Sequence, residues 1–315
     1  KGILIKHLTQ LDPLEMNFLI TGATGFIGRQ LVQQLKTDHH VEVLSRDHQR
    51  AERLLEVPAY PWDYAHAEVP VEALKNAQII IHLMGENLGE GRWTKQRKQE
   101  IYQSRILSTH KLVEAAPPHL KCFICGSAIG IYPGLGDQIF DESFLVPAEG
   151  NFMQSICRDW ENEAQKIERK NVRRVSIRTG VVLGQGGMLK KLLPLFKLGL
   201  GGSVGNGKQW LPWIHIDDLV SIFKTAALDD RYQGPINAVS ANPVKYQEFA
   251  SMLGKVLHRP AFLTIPAFIL KLALGEAAAL ALNSYRIKPT KLIESYGFQF
   301  KFSQLEHALE NIIQK

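Results

Sequence analysis

From residue 16 onward the chain alternates short runs of β-branched and aliphatic residues with longer stretches whose apolar positions recur every three or four residues. The first pattern suits a strand buried on both faces and the second an amphipathic helix, so their alternation predicts βαβ units around a parallel sheet. Strands are predicted at 17–21, 41–45, 78–84, 121–126 and 174–178, with a weaker one at 59–62, and helices at 25–35, 94–115 and 150–170. Pro117 and Pro118 stop the second helix, because neither ring leaves room for a continuing turn. Glycines then crowd 184–187 and 199–207, and the chain beyond Leu257 reads as mainly helical, with no repeat of fixed period. The longest apolar stretch, 261–282, is broken by Pro266, Lys271, Gly275 and Glu276. It falls short of the roughly 20 clean residues of a membrane span and is expected as a buried or amphipathic helix, with no membrane contact.

Composition narrows the class. With 315 residues, 45% hydrophobic and 22% charged, the chain can bury a sizeable core, which excludes disordered, collagen-like and coiled-coil readings. The 37 basic residues exceed the 31 acidic ones by 6, enough to favour an anionic ligand but too scattered to argue for nucleic acid. The basic helix carrying Arg92, Lys95, Arg97, Lys98 and Arg105 lacks the interleaved aromatics on which single strands stack. Three cysteines, Cys122, Cys125 and Cys157, suggest a reducing, cytoplasmic setting without disulfides. Cys122 and Cys125 have CxxC spacing, yet on a strand residues three apart point to opposite faces, so no metal site is expected there. His215, Asp217 and Asp218 precede a helical run; Asp217 is expected as its N-cap, with His215 a weak substrate-site candidate.

The sharpest local signal is Thr21-Gly22-Ala23-Thr24-Gly25-Phe26-Ile27-Gly28, lying between a predicted strand and a predicted helix. In such a turn the first glycine allows the tight bend, the second lets backbone N–H groups approach a pyrophosphate, and the third brings helix and strand together. The helix N-terminus then presents partial positive charge to the phosphates. At the end of the second strand stands Ser45-Arg46. A guanidinium there suits the 2′-phosphate of NADP(H), whereas a carboxylate would suit the ribose hydroxyls of NAD; Asp47 comes one residue too late for that role, and a one-residue shift would reverse the choice.

These residues, with Leu83-Met84-Gly85-Glu86-Asn87 after the third main strand, resemble an extended short-chain dehydrogenase/reductase of the NAD-dependent epimerase/dehydratase superfamily. Arg92-Trp93-Thr94, Cys157-Arg158-Asp159-Trp160-Glu161, the run 178–184, the run 211–216 and Arg286-Ile287-Lys288-Pro289 resemble its atypical family 39U subgroup, which has its own C-terminal module and whose bacterial members include some labelled cell-division inhibitors. The resemblance implies a Rossmann-like doubly wound parallel sheet with a smaller, mainly helical C-terminal substrate lobe. It further implies that NADP(H) contacts Gly22, Thr24, Gly25, Phe26, Ile27, Gly28, Ser45, Arg46, Leu83, Met84, Glu100, Arg105 and Val182. The chain is accordingly divided into an N-terminal extension or expression remnant at 1–15, an NADP-binding domain at 16–183, and a substrate-side lobe at 184–315, interleaved with that domain and ending in a helical module at about 258–315.

Active members of the superfamily carry a tyrosine and, four residues later, a lysine on the helix after the fifth strand, where one turn brings both to the same face. Here that helix has no tyrosine, and Cys157 and Glu161 occupy the nearest positions. A carboxylate has the wrong charge for the lysine's role. Ser127 is the credible serine of the site; Tyr132 is a weaker candidate, better explained by packing, and Cys157 is expected to be a buried thiol. Trp93, Trp210 and Trp213 are candidates for an apolar substrate wall. The expected function is NADP(H)-dependent oxidoreductase or epimerase chemistry on an unidentified small substrate; the alternative is a regulatory or binding protein that responds to NADP(H) without turnover. Oligomeric state is not derivable from these residues.

Overall fold

The computed structural model describes residues 15–314, so the expected extension at 1–15 lies outside the described residues except for Glu15. Seven strands form one parallel sheet: β1 (Asn17–Thr21), β2 (His40–Ser45), β3 (Ala59–Pro61), β4 (Ile79–His82), β5 (Cys122–Ala128), β6 (Arg173–Thr179) and β7 (Gly234–Ala238). Their spatial order is β3-β2-β1-β4-β5-β6-β7. The winding direction reverses between β1 and β4, and at such a switch the carboxyl ends of the strands leave a crevice for a ligand. The fold is the Rossmann-like doubly wound sheet that the sequence pattern predicts.

Among the described residues nine α-helices run for eight residues or more: α1 (Phe26–Leu35), α2 (His48–Leu55), α3 (Lys95–Ala115), α4 (Phe152–Gln165), α5 (Gly187–Lys197), α6 (Ile216–Leu228), α7 (Tyr246–Leu257), α8 (Ala267–Leu274) and α9 (Leu305–Gln314). Alternation along each strand feeds two cores. Phe18 and Ile20 of β1 join Leu31 of α1 and Leu219 of α6 on one face, while Leu19 joins Trp62, Leu112 and Trp160 on the other. Cys122 and Cys125 divide between the same two cores, so their thiols lie on opposite faces, as strand geometry requires.

Several boundaries differ from the sequence expectation. β4 ends at His82; the Leu83 N–H still donates to the Thr21 carbonyl, and Met84 has left the ladder, its N–H donating to the Thr21 side chain. The helix expected over 150–170 is α4 followed by a 3-10 turn, Lys166–Lys170, which ends at Asn171 with φ +58°. β7 and α6 come from beyond residue 184, so the chain enters the lobe with α5, returns to complete the sheet, and then goes back to finish the lobe. The largest correction concerns 261–282. Pro266 and Gly275, the latter at φ +60°, cut it into a short strand (Leu263–Ile265), α8, a 3-10 turn (Gly275–Ala278) and a helical turn (Ala279–Leu282). α8 has no buried residue. The lobe's own core lies deeper, where Trp213, Phe249, Leu253 and Leu309 meet. Among the described residues no helix is long and apolar enough to cross a membrane.

Candidate dinucleotide and substrate site

The turn after β1 is built as its three glycines require. Gly22 has φ +70°, and a Cβ there would lie 2.7 Å from the Leu83 backbone; at Gly28 it would lie 2.4 Å from the Gly22 carbonyl oxygen. The first and third glycines are therefore set by close backbone approach. Gly25 differs: it is exposed, and a Cβ there would meet only the Gly22 oxygen, at 3.2 Å. Gly25 also starts α1, which has no side-chain cap and no acidic residue in its first turn, so the free N–H groups and positive end of the helix stay available. Arg29 Nε braces the turn by donating to the Thr24 carbonyl at 2.7 Å, and Ile27 packs against the core beneath. Phe26 lays its ring over the second glycine cluster, where Cβ atoms at Gly184 and Gly186 would come within 2.7 and 2.5 Å of it. That cluster thus has a packing partner the sequence did not disclose. Val182 stands just before it, on a short strand (Val181–Leu183) paired with Trp213–His215.

At the end of β2, Arg46 extends outward with 68% of its side chain exposed, and Ser45 Oγ donates to the Asp47 carbonyl. Asp47 caps α2, its carboxylate accepting from the Arg50 N–H at 3.0 Å, which gives that residue a structural task. Arg46 begins a chain of alternating charge: it lies 3.8 Å from Glu86, which pairs with Arg97 at 3.0 Å, which pairs with Glu100 at 3.1 Å. Sequence reasoning named Arg46 and Glu100 but assigned no role to the two residues between them; the i,i+3 spacing of Arg97 and Glu100 was the available signal.

Beneath Leu83 and Met84 lies a buried polar network. Thr21 Oγ1 accepts from the Met84 N–H and donates to His82 Nδ1 at 2.6 Å, while His82 Nε2 meets Ser108 Oγ at 3.1 Å. Ser108 passes its own proton to the Ser104 carbonyl, so the hydrogen bonds assign a neutral imidazole protonated on Nε2. Burial, with the nearby Arg105 charge, pushes His82 down to about 3. Arg105 is itself buried, donating to the carbonyls of Ile101 and Glu86 and lying 5.2 Å from the Trp160 ring. Burial lowers it to about 10, and a Cβ at Gly85 would sit 2.8 Å from its guanidinium carbon. Arg105 is thus not a solvated charge on the basic helix but a buried one held beneath Gly85.

At the end of β5, Ser127 Oγ donates to Glu161 Oε1 at 2.7 Å. Arg178 from β6 grips the same carboxylate with two hydrogen bonds, 2.8 and 2.9 Å, and donates a third to the Tyr132 hydroxyl. Burial works against the charge on Arg178, but the hydrogen bonds and charge of Glu161 outweigh it and raise its pKa. Sequence reasoning missed Arg178, because a cation brought in from another strand leaves no local spacing to read. Tyr132 does not project into the crevice: its ring is fully buried and stacked on Phe140, its hydroxyl donates to Asn237, and burial raises it to about 12. Burial likewise pushes the Cys157 thiol up to about 12, far from the thiolate a nucleophile needs.

A cleft of about 750 Å³ opens between the sheet domain and the lobe, with Trp93, Phe152 and Met153 on one wall and Ala267, Lys271 and Leu282 on the other. Met153 on its wall packs against Gly130, where a Cβ would lie 2.8 Å from Met153 Cε, while Ser127 and Glu161 are not among the lining residues. Of the three candidate tryptophans only Trp93 lines it. Trp213 is buried in the lobe core, and Trp210 lies between Arg286 and Lys245, with its ring nitrogen donating to Asp137. His215 is absent from the lining; it caps α6 by accepting the Asp217 N–H on Nδ1 and stacks on Phe302, so the capping role expected of Asp217 belongs to His215. Asp218 holds the C-terminal segment, accepting from the N–H groups of Lys301 and Phe302. Among the described residues no three His, Cys, Asp or Glu side chains converge as metal ligands.

A parallel doubly wound sheet with an open glycine turn at its switch point defines a dinucleotide-binding protein of the short-chain dehydrogenase/reductase type. The chain belongs to the NAD dependent epimerase/dehydratase family, whose pattern matches residues 18–238, and residues 265–312 match a domain of unknown function, DUF1731. It is 37% identical over 308 residues to the chloroplastic epimerase family protein SDR39U1 homolog of Arabidopsis thaliana, covering 95% of this chain and 87% of that protein. It is 36% identical over 302 residues to the epimerase family protein YfhF of Bacillus subtilis, with 95% and 98% covered. Human epimerase family protein SDR39U1 (isoform 2), crystallised with NADPH, superimposes with a TM-score of 0.84 at 30% identity, covering 95% of this chain and all of that one.

Proposed function

We propose that this protein binds NADP(H) and acts as an oxidoreductase or epimerase on a small substrate held in the cleft between sheet and lobe. The observation that carries the reading is the open side of Gly25 at the uncapped N-terminus of α1, a cradle that a Cβ would fill. The surrounding residues fit a dinucleotide: the glycine turn for the diphosphate and Ser45 and exposed Arg46 for a 2′-phosphate, with Leu83, Met84, Glu100, Arg105 and Val182 assigned to it by the family resemblance, Arg105 from beneath Gly85. The NADPH crystallised with human SDR39U1 supports the phosphorylated form. When bound, the cofactor supplies hydride exchange at its nicotinamide.

The protein's own residues handle the proton. Because Ser127 Oγ donates its proton to Glu161, its lone pairs are left to accept. A substrate hydroxyl gives its proton to Ser127 Oγ as Ser127 passes its own to Glu161 Oε1, and Arg178 holds the carboxylate in place for that transfer. The tyrosine of the usual machinery is thereby replaced by a serine–glutamate relay, and the lysine by an arginine from a neighbouring strand. A second reading, a protein that binds NADP(H) without turnover, draws support from the same pair, since Glu161 is already engaged by two hydrogen bonds from Arg178 and one from Ser127.

Fluorescence titration tests the cofactor: Arg46→Ala should weaken NADPH by about 10- to 100-fold and leave NADH nearly unchanged. Equal weakening of both would overturn the 2′-phosphate assignment, and no saturable binding of either would overturn the reading as a whole. A panel of sugars, aldehydes and quinones then separates the two functions. NADPH oxidation that Ser127→Ala abolishes supports an enzyme, and tight binding with no oxidation of any member supports the second reading.

A further inference from the structure

The lobe carries an apolar surface that the cofactor and cleft leave unused. Phe268 and Leu272, one turn apart on α8, are 69% and 77% exposed, and Phe262 and Leu198 are 77% and 73% exposed. Leu200, Leu263, Ile265 and Ile269 are exposed as well. The segments that carry these side chains lie side by side. The strand Leu263–Ile265 pairs with Gly202–Val204, Pro260 lies against Gly199, and Arg259 Nε donates to the Lys197 carbonyl. A contiguous apolar face of this kind marks a docking site more often than chance exposure does.

Its rim decides the occupant. Residues 169–216 and 249–275, which supply the whole face, contain no Asp or Glu, whereas Lys197 and Arg259 stand exposed on the segments that carry the apolar side chains. A second copy docking by two-fold symmetry would set these cations against their own kind with no carboxylate from either stretch to offset them. Short helices with apolar outward residues and flanking cations instead settle in the headgroup region of anionic bilayers.

We infer that α8 and the adjoining 198–200 turn dock this protein on an anionic lipid surface. The inference departs from the sequence expectation of no membrane contact, which rested on the lack of a spanning helix; α8 lies along the surface, with Ala267 and Lys271 lining the substrate cleft while Phe268 and Leu272 are exposed. The inference does not depend on the dinucleotide.

Flotation of the full chain with vesicles of phosphatidylcholine alone, or of phosphatidylcholine with phosphatidylglycerol, tests it. Binding is expected only to the anionic vesicles and should weaken as salt rises. Phe268→Asp with Leu272→Asp should lower it about tenfold or more, and Lys197→Gln or Arg259→Gln roughly fivefold each. Both apolar residues are outward, so circular-dichroism melting should match the parent and exclude misfolding as the cause. Absence of binding, equal binding to both vesicle types, or binding untouched by the double substitution would overturn the inference. So would a dimer in sedimentation that the double substitution dissociates, because the face would then belong to a second copy.

Discussion

His82 shows how one side chain can tie the cofactor turn to pH. It links Thr21, which orients the Met84 N–H, to Ser108 on α3, and it does so as a neutral base inside a closed network. Burial holds it at about 3, against an ordinary value of 6.5, so the unfolded chain takes up a proton at a pH where the folded chain does not. The contribution to stability is complete above pH 6.5 and declines as pH falls toward 3. Urea unfolding at pH 7 and pH 5 should therefore show a larger loss of stability on acidification for the parent than for His82→Gln. Equal losses would mean that other groups govern this range. Arg105 makes a related point: its position on a basic helix looked like solvent exposure, and only the fold shows a buried guanidinium under Gly85.

Between elements, the contact to watch is Phe26 of α1 on the 184–187 turn. The two glycine clusters are far apart in sequence, yet the second accommodates the aromatic residue inserted in the first. Gly186→Ala would place a methyl 2.5 Å from the ring, and such overpacking costs about 1–3 kcal/mol when the ring cannot retreat. Urea unfolding should register that loss, and NADPH titration a weaker complex. Adding Phe26→Ala should recover part of the stability, a non-additivity expected only of residues in contact. The helices were legible where caps and breakers were strong, as in α3, which starts at the Thr94 cap and ends before Pro117. β7 and the short strand at Val181–Leu183 were not, because brief strands are defined by the partners that bond them.

At the scale of the molecule, sheet and lobe are joined by the chain's return through α6 and β7 and by contacts across the cleft, including Lys98 with Glu276 and Lys191 with the Gly89 carbonyl. A dinucleotide that binds only the folded state stabilises it by mass action, about 2.7 kcal/mol at a concentration 100 times its dissociation constant. Thermal unfolding should thus shift upward by several degrees with NADPH and less with NADH at the same concentration. Identical shifts would point to a site that ignores the 2′-phosphate.

Periodicity alone determined the layered α/β class, and the glycine spacing with Ser45-Arg46 marked the dinucleotide end of the site, because strand period, helix period and turn chemistry are local properties of neighbouring residues. The replacement of tyrosine and lysine by Cys157 and Glu161 was also plain in one dimension. What answers that replacement was not: Arg178 reaches Glu161 from β6, Tyr132 turns inward to Asn237, and α8 turns its apolar residues to the outside. Each depends on which segments meet across the sheet and lobe, and distances between residues remote in sequence exist only once the chain has folded.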